Sequence, residues 1–255
     1  MFTFLRNKYS GILKRIKCAS IGLLYLKNSD FKITNQLKIS GKYKDYKFLD
    51  KDNPRFIYEF TEICLNDCYR LRLLSRRLNS INSIVDVGAN QGLFAIAARQ
   101  QFPNANIHCY EPNLFLKENL SHNADNLSST LYIEAVTKDD CKVNLEFGET
   151  DLLTKTSVST TGTVQGTSLR TVIENAGGEI DILKLDCEGA EWDLFDDEFS
   201  WQKIKGLTME YHLWAREGSS FEDIEFKLAR LNFKILSHEA LNDSYGLVTA
   251  VNQTK

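Results

Sequence analysis

The chain has 255 residues, of which 43% are hydrophobic and 25% are charged, a composition typical of a folded protein with one sizeable core. This composition excludes fibrous and disordered chains, and no apolar run approaches the roughly 18 residues that a membrane-spanning helix needs. The apolar run from Cys18 to Leu26 follows a basic stretch, as in a signal peptide, but no small-residue cleavage site comes after it. We therefore expect a cytoplasmic protein with its six cysteines reduced.

Positive charge is concentrated in the first 80 residues. They carry 17 Lys and Arg against 7 Asp and Glu, whereas the remainder carries 14 against 27. Residues 1–28 have the pattern of a basic amphipathic helix, which indicates peripheral contact with an anionic membrane surface, a partner helix or a phosphorylated acceptor. A helix that packs on the rest of the chain with its lysines in water explains the pattern equally well. We predict a basic extension over 1–80 and one α/β domain over 81–255.

Short strands and a helical segment follow the basic helix candidate. Residues 31–52 read as two short strands with a turn at Gly41, and residues 54–78 place apolar side chains at helical spacing. Tyr69 lies in this helical segment, where it is either a core aromatic or part of a ligand pocket.

A buried strand, a glycine turn and a helix begin at Ser83. Residues 83–87 (SIVDV) are typical of a buried strand, and residues 88–92 (GANQG) of a turn before an amphipathic helix. Gly88 and Gly92 lack the Cβ atoms that would keep a ligand away, so the turn can aim backbone N–H groups at a small molecule. This predicts a binding site at the carboxyl edge of the sheet.

Two cofactor classes use this geometry, the dinucleotides and S-adenosylmethionine. Glu111 ends the next strand 23 residues after Gly88, where its carboxylate can accept hydrogen bonds from the ribose hydroxyls of either cofactor. Asn90 stands where the dinucleotide motif G-x-G-x-x-G has its second glycine, and Asp86 suits an ammonium group better than a pyrophosphate. The turn therefore favours S-adenosylmethionine, although a glycine turn that binds nothing fits the same residues.

The elements after Glu111 are less regular. A helix over 112–123 and a third strand over 130–136 are predicted, with a further strand over 141–147. Residues 148–166 are rich in Ser and Thr without a period, so we expect a surface loop over the pocket or a plain connector. A short helix over 168–177 follows.

The fourth strand, over 180–189, is chemically unusual because an otherwise apolar run carries three charges. On a continuous strand Lys184, Asp186 and Glu188 share one face, where isolated charges are costly unless a partner, a metal or a ligand offsets them. A structural ion pair between Lys184 and one carboxylate is one explanation, and a ligand at this edge of the sheet is the other.

The fifth strand, over 207–213, ends in Glu210 and His212, which again share one face. A lone histidine in a strand is usually a core residue. Because His212 is paired with Glu210 beside a second acidic strand end, a catalytic role explains it equally well. A helix over 222–232 and two strands over 233–239 and 245–252 then complete a mixed sheet with an antiparallel edge.

Four motifs stand in an order and spacing that resemble the FkbM family of S-adenosylmethionine-dependent methyltransferases. They are DVGANQG at 86–92, YEPN at 110–113, DILKLDCEGAEWD at 181–193 and MEYH at 209–212. The resemblance implies a class I methyltransferase, a Rossmann-like α/β fold with a mixed sheet, helices on both faces and an antiparallel C-terminal edge strand. It also implies S-adenosyl-L-methionine as cofactor and O-methylation of a hydroxyl on a sugar, a glycan or another small-molecule acceptor.

Candidate site residues follow from the motifs and from where the predicted strands end, and the resemblance implies that Glu134 and Ala135 flank the adenine. The candidates for cofactor binding are Asp86, Gly88, Asn90, Gly92, Glu111, Pro112, Asn113, Glu134 and Ala135. The candidates for catalysis are Asp186, Glu188, Glu210 and His212. His212 is our choice for the base that removes the acceptor's proton, because an unperturbed imidazole is neutral near pH 7. The rival hypothesis is that these four side chains hold a divalent cation, although no metal site is predicted.

Two other functions remain open. A nucleic-acid methyltransferase drawn to its target by the basic extension is one. The fourth strand ends in DCEG rather than in an aromatic-bearing Asn/Asp-Pro-Pro motif, which argues against adenine N-methylation. A non-catalytic module that binds a nucleotide or a protein is the other.

Overall fold

A computed structural model describes residues 12–26, 31–147, 154–159 and 161–254. The strands of these ranges are β1 (Leu24–Tyr25), β2 (Phe31–Lys32), β3 (Gln36–Ile39), β4 (Lys42–Asp45), β5 (Ser83–Val87), β6 (Asn106–Tyr110), β7 (Thr130–Tyr132), β8 (Ala135–Thr137), β9 (Cys141–Phe147), β10 (Thr154–Val158), β11 (Val164–Ser168), β12 (Ile180–Leu185), β13 (Ile204–His212), β14 (Phe233–Ala240) and β15 (Tyr245–Asn252). The α-helices are α1 (12–20), α2 (Pro54–Phe60), α3 (Leu71–Ser75), α4 (Leu93–Gln101), α5 (Lys117–Leu127), α6 (Leu169–Asn175), α7 (Glu191–Leu194), α8 (Glu198–Trp201) and α9 (Phe221–Arg230).

The central sheet has seven strands in the order β14-β15-β13-β12-β5-β6-β7. The five strands from β13 to β7 are parallel, while β15 runs antiparallel to β13, and β14 at the edge runs antiparallel to β15. This is the class I methyltransferase fold, so the predicted fold class is confirmed. The strand that runs against the parallel set is β15, one place in from the edge.

The chain changes winding direction between β5 and β12. Every residue of both strands is buried, because the sheet is covered on both faces, and this explains why most of their residues are apolar. Lys184 stands opposite Asp86 in the register of the pair. The carboxyl ends of these two strands form the switch point at which α/β sheets bind ligands.

The region between β7 and α6 differs from its predicted structure. The predicted third strand over 130–136 ends at Tyr132, and Ala135 already belongs to a second sheet of order β10-β9-β11-β8. Within residues 148–166, predicted as a loop, β10 and most of β11 pair antiparallel with β9. Residues 148–153 and 160 lie outside the described ranges. The polar Ser and Thr residues hid this pairing because they carry no apolar alternation.

The extension contains a hairpin and an interrupted helix. The predicted turn at Gly41 is confirmed, since Ser40 and Gly41 have φ of 49° and 82° between β3 and β4, the geometry of a two-residue hairpin turn. The predicted helical segment over 54–78 is broken, because Asp67 and Arg70 adopt left-handed conformations. Tyr69 therefore lies in the turn between two helical pieces and not on a helix face.

The described part of the basic segment packs on the domain. Cys18, Ile21 and Leu23 are buried in a core that continues into β5 and α4, whereas Ile12 and Ile16 are exposed. Residues 1–11 and 27–28 of the predicted amphipathic helix lie outside the described ranges, so membrane contact stays a prediction. In the described ranges we find no helix with the length and apolarity to cross a bilayer.

Candidate active site

The glycine loop after β5 touches the end of β12. A Cβ atom on Gly88 would lie 1.8 Å from the carbonyl oxygen of Asp186, and φ of Gly88 is 73°. Both the close approach and the left-handed conformation therefore require glycine at this position. Gly92 has φ of 84° and is the residue before α4, so the loop passes directly into the helix.

Gln91 fixes this loop to the rest of the protein. Its side-chain oxygen accepts a hydrogen bond from the backbone N–H of Leu49 at 2.6 Å, and its carbonyl oxygen accepts one from the Asn123 side chain at 3.1 Å. The extension and α5 thus both hold the loop. Gln91 was not among the predicted site residues, because its partners are distant in sequence.

Glu111 braces the same loop from β6. Its carboxylate is buried and accepts hydrogen bonds from the backbone N–H groups of Asn90 at 2.8 Å and Asn113 at 2.9 Å. Burial raises the pKa of Glu111 despite these two hydrogen bonds. A carboxylate has about four lone-pair sites, so two amide donors leave room for ribose hydroxyls.

A small recess lies beside Glu111. Pro112, Glu134 and Ala135 line it, together with the Asp186–Ala190 turn that follows β12. The carboxylate of Glu134 accepts a hydrogen bond from the hydroxyl of Thr167, a β11 residue of the second sheet. Asn113 accepts a hydrogen bond from the N–H of Phe115 and lies outside the recess lining.

A large cavity of about 220 Å³ opens on the other side of the glycine loop. It shares the lining residues Gly88, Asp186 and Glu188 with the small recess, so the two spaces lie next to each other at the ends of β5 and β12. Carboxylates dominate its polar lining. The opposite wall is formed by α2, the π-helix Thr61–Asn66 that continues it and the turn that follows. A ligand that spans both spaces would cross the glycine loop.

Lys184 connects the loop to the strand ends. Its Nζ donates hydrogen bonds to the carbonyl oxygens of Gly88 at 2.7 Å and Val87 at 3.1 Å, and lies 3.2 Å from Asp86 and 3.5 Å from Asp186. Burial lowers the pKa of Lys184, but the two carboxylates outweigh burial and raise it overall. Asp86 is completely buried and lines neither space. Asp86 therefore supports Lys184 beneath the loop, and its predicted contact with a ligand ammonium group stays a prediction.

Tyr69 reaches the same network from the extension. Its hydroxyl donates a hydrogen bond to Asp186 Oδ2 at 3.0 Å, and its side chain is buried. Burial and the charge of Asp186 raise the pKa of Tyr69 well above its usual value. Both readings of Tyr69 from the sequence, core aromatic and pocket residue, describe part of what it does.

The chain after β12 turns sharply, so the predicted strand over 180–189 is too long. β12 ends at Leu185, and Glu188 and Gly189 have left-handed φ values of 53° and 102°. A Cβ on Gly189 would lie 2.4 Å from the Cβ of Ala215, which excludes other residues here. The turn carries the Glu188 carboxylate to within 3.8 Å of His212 Nε2.

Asp186, Glu188, Glu210 and His212 form what we call the strand-end cluster. His212 is 3% exposed, and its Nε2 lies 3.5 Å from Glu210, as expected for residues on one strand face. On the other side of the ring Nδ1 lies 2.9 Å from Glu191, a completely buried carboxylate that the sequence did not single out. Asp186, Glu188 and Glu210 line the large cavity, whereas His212 lies behind them.

The charges of the strand-end cluster shift one another's pKa values. Burial lowers the pKa of His212, but the nearby carboxylates of Glu191 and Glu210 outweigh burial and raise it to about 11. Burial, reinforced by the charge of Asp186, raises the pKa values of Glu188 and Glu210. Without a bound ion this shift favours the imidazolium at neutral pH, whereas a base requires the neutral imidazole.

The two spaces fit S-adenosylmethionine better than a dinucleotide. The side-chain oxygen of Asn90 is buried in the loop without a hydrogen-bond partner among the described residues, and Asn90 lines the large cavity. An unpaired acceptor and a carboxylate-rich wall suit the ammonium and sulfonium groups of this cofactor, whereas they would repel a pyrophosphate. Glu111 remains available for the ribose.

Comparisons with known proteins agree with this chemistry. The family model described as the methyltransferase FkbM domain matches residues 86–235, more than half of the chain. The chain is also similar to the methyltransferase sdnD of Sordaria araneosa. The two are 26% identical over an alignment of 254 positions, and the match covers 82% of this chain and 93% of that protein.

Solved methyltransferase structures resemble the chain at low identity. Magnesium protoporphyrin IX methyltransferase from Synechocystis PCC 6803 with bound SAM is 11% identical at a TM-score of 0.47, with 82% of this chain and 87% of that chain covered. TrmK of M. capricolum with S-adenosyl-homocysteine is 13% identical at 0.45, with 73% and 68% covered. Because both TM-scores are below 0.5, the assignment of the fold rests on the strand order of the central sheet. The family match shows that the chain belongs to the FkbM family of methyltransferases, with S-adenosyl-L-methionine as its cofactor.

Proposed function

We propose that the protein transfers a methyl group to a hydroxyl oxygen of a sugar, a glycan or another small-molecule acceptor bound in the large cavity. The observation that carries this proposal is the row of carboxylates, Asp186, Glu188 and Glu210, that faces the cavity beside the glycine loop. An alcohol must lose its proton as its oxygen is methylated, and a carboxylate within hydrogen-bond reach can accept that proton.

The cofactor lies across the glycine loop in this proposal. Glu111 binds its ribose, and Pro112, Glu134 and Ala135 flank its adenine in the small recess. Gly88 and Asn90 face its methionine end, while Gly92 and Asn113 shape the loop and the strand end that surround it. When bound, S-adenosylmethionine supplies an electrophilic methyl group on a positively charged sulfur. The chain's own task is to position the acceptor oxygen and receive its proton.

Glu210 is the base in this proposal, in place of His212. Glu210 lines the large cavity, whereas His212 lies behind the carboxylates and outside the cavity lining. His212 then acts as a positioning residue, because its Nε2 lies 3.5 Å from Glu210 and 3.8 Å from Glu188. Lys184 and Tyr69 position Asp186 in the same way through contacts of 3.5 Å and 3.0 Å.

The extension over 1–80 supplies one wall of the large cavity in this proposal, and the domain over 81–255 supplies the other. Glu59, Glu62 and Tyr69 face the cavity from the extension, opposite Glu210 and Leu247. In this proposal the cofactor loop belongs wholly to the second part of the chain, and both parts line the cavity that receives the acceptor.

A screen with methyl-labelled S-adenosylmethionine tests the function. The purified full chain is incubated with a panel of sugars, glycans, small alcohols, amines and a short RNA, and each labelled product is identified by mass spectrometry. We expect label in a methyl ether and loss of that product in Glu210→Gln. Label that appears only in RNA or in an amine would overturn the proposal, and so would full activity of Glu210→Gln.

A further inference from the structure

The strand-end cluster brings three different ligand atoms together at one point. A carboxylate oxygen of Asp186, a carboxylate oxygen of Glu188 and a ring nitrogen of His212 all lie within 4.8 Å of one another. A cation about 2.1 Å from each atom would hold neighbouring ligands about 3 Å apart, which small side-chain rotations allow. Asp186 and Glu188 also line the large cavity, so an ion between them would be open to the acceptor.

His212 has the orientation of a metal ligand. Glu191 lies 2.9 Å from Nδ1 and accepts a further hydrogen bond from the backbone N–H of His212 at 2.8 Å, which fixes the ring. Nε2 then points into the gap between the carboxylates, at 3.5 Å from Glu210 and 3.8 Å from Glu188. Both distances exceed the ~2.7 to 3.2 Å of a normal N–H···O hydrogen bond. A carboxylate on the far ring nitrogen is the usual support of a metal-ligating histidine.

The charges around the cluster also call for a cation. Among the described residues, six carboxylates, including Asp186, Glu188 and Glu210, line the cavity against two cations, Arg55 and Lys184, and Lys184 is shared with the buried Asp86. A dication would offset this excess of negative charge. Two carboxylates and one imidazole without a thiolate favour an ion of the Mn²⁺ type over the harder Mg²⁺, which prefers oxygen ligands alone.

We infer that Asp186, Glu188 and His212 bind one divalent cation of the Mn²⁺ type at the edge of the large cavity, with Glu191 as the positioning residue for His212. The role of the ion rests on the proposed function. It would bind the acceptor hydroxyl oxygen and ease transfer of its proton to Glu210. The oxygen then forms its bond to the methyl carbon as the carbon–sulfur bond breaks and S-adenosylhomocysteine leaves.

Titration of the metal-free full chain with Mn²⁺, followed by electron paramagnetic resonance, tests the site. We expect one Mn²⁺ per chain, with affinity reduced by about tenfold or more in Asp186→Asn and in His212→Gln. His122→Gln is the matched control, because His122 Nε2 also lies near a carboxylate, 3.3 Å from Asp45, but outside the cavity. Its affinity for Mn²⁺ should equal that of the wild type.

Two results would overturn the site. One is the lack of saturable Mn²⁺ binding in the wild type, and the other is unchanged affinity in both Asp186→Asn and His212→Gln. Circular dichroism checks that the variants fold. If His212→Gln does not fold, Glu188→Gln replaces it, since the Glu188 side chain is 27% exposed and its loss leaves the core intact.

If the proposed cation site is wrong, the experiments give a different result from the one expected if the proposed function is wrong. Methyl ether formation that persists in EDTA, with no Mn²⁺ binding, removes the cation and keeps the function. One bound Mn²⁺ per chain without any methyl ether in the acceptor screen keeps the ion and removes the function.

Discussion

Glu191 accepts two hydrogen bonds from one residue, the backbone N–H of His212 at 2.8 Å and the ring Nδ1 at 2.9 Å. Its other carboxylate oxygen accepts the N–H of Gly189 at 2.9 Å. One completely buried side chain therefore ties the turn after β12 to the end of β13. The relative position of the two strand ends depends on this carboxylate.

Replacement of Glu191 by Gln tests this connection. The amide keeps the shape of the carboxylate but loses its charge and offers one acceptor oxygen in place of two. We expect Mn²⁺ affinity to fall by about 10- to 100-fold, because support of a ligating histidine contributes that much in other sites. Mn²⁺ titration measures the change. Glu198→Gln, at a carboxylate on the surface with 57% exposure, serves as the control. Equal affinities of the two variants would contradict the role of Glu191.

Glu111→Ala should weaken cofactor binding by about 2 to 3 kcal/mol, the value of the hydrogen bonds that a carboxylate makes to two ribose hydroxyls. Because Glu111 also accepts the N–H groups of Asn90 and Asn113, part of the loss comes from a looser loop. Calorimetric titration with S-adenosylmethionine gives the affinity. Glu118→Ala is the control, since the Glu118 side chain is 87% exposed. Unchanged affinity in Glu111→Ala would exclude Glu111 from the cofactor site.

Tyr69→Phe should separate positioning from cofactor binding. The variant loses the 3.0 Å hydrogen bond to Asp186 and keeps the aromatic packing against Phe94. A hydrogen bond to a charged group contributes about 1.5 to 3 kcal/mol, so we expect kcat/KM to fall by about tenfold or more. Affinity for S-adenosylmethionine should remain that of the wild type. Tyr43→Phe, at a tyrosine that is 62% exposed, should leave both quantities unchanged. An equal loss in both variants would count against a specific role for the hydroxyl.

The pH dependence of stability should report the charge on His212 in the metal-free protein. Its folded-state pKa is raised to about 11, above the ordinary value of 6.5. The resulting stabilisation is complete below the unfolded pKa, declines as the pH rises and is lost as the pH passes through about 11. Thermal unfolding in EDTA of the wild type and His212→Gln should show a Tm difference that narrows between pH 7 and 11. A constant difference would mean that His212 is uncharged throughout.

The parts of the fold that the sequence revealed are those with local signals. β5 and β12 are buried on both faces, so their apolar runs can be recognised in the sequence. Gly88 also marks the turn in the sequence, because the close approach of Asp186 leaves room for glycine alone. The sequence did not predict the second sheet, because the sequence of its strand β10 (TKTSV) is mostly polar. The break at Asp67 was missed for a different reason. Its side chain accepts hydrogen bonds from the N–H groups of Leu71 and Arg72, a local competition with the helix that apolar spacing does not record.

The site shows the same division. Glu111 and Glu210 could be proposed from where their strands end, since parallel strands bring their carboxyl ends to one edge. Glu191 gave no such signal, because its importance depends on how the turn after β12 packs against β13. The choice of His212 as the base rested on the ordinary pKa of an imidazole, and it stays a prediction. An imidazole surrounded by carboxylates does not keep its ordinary pKa, and the number of carboxylates became visible only in three dimensions.

The hydrogen bond from Leu49 to Gln91 has a consequence for how the acceptor range of this enzyme can change. Leu49 belongs to the segment that leads into α2, and α2 lines the large cavity together with the π-helix that follows it. A substitution that shifts this segment to admit a new acceptor therefore also pulls on the loop that holds the cofactor. Variants selected for new acceptors should gather on β14 and β15, whose residues Glu239 and Leu247 border the cavity and belong neither to the loop nor to the segment that leads into α2.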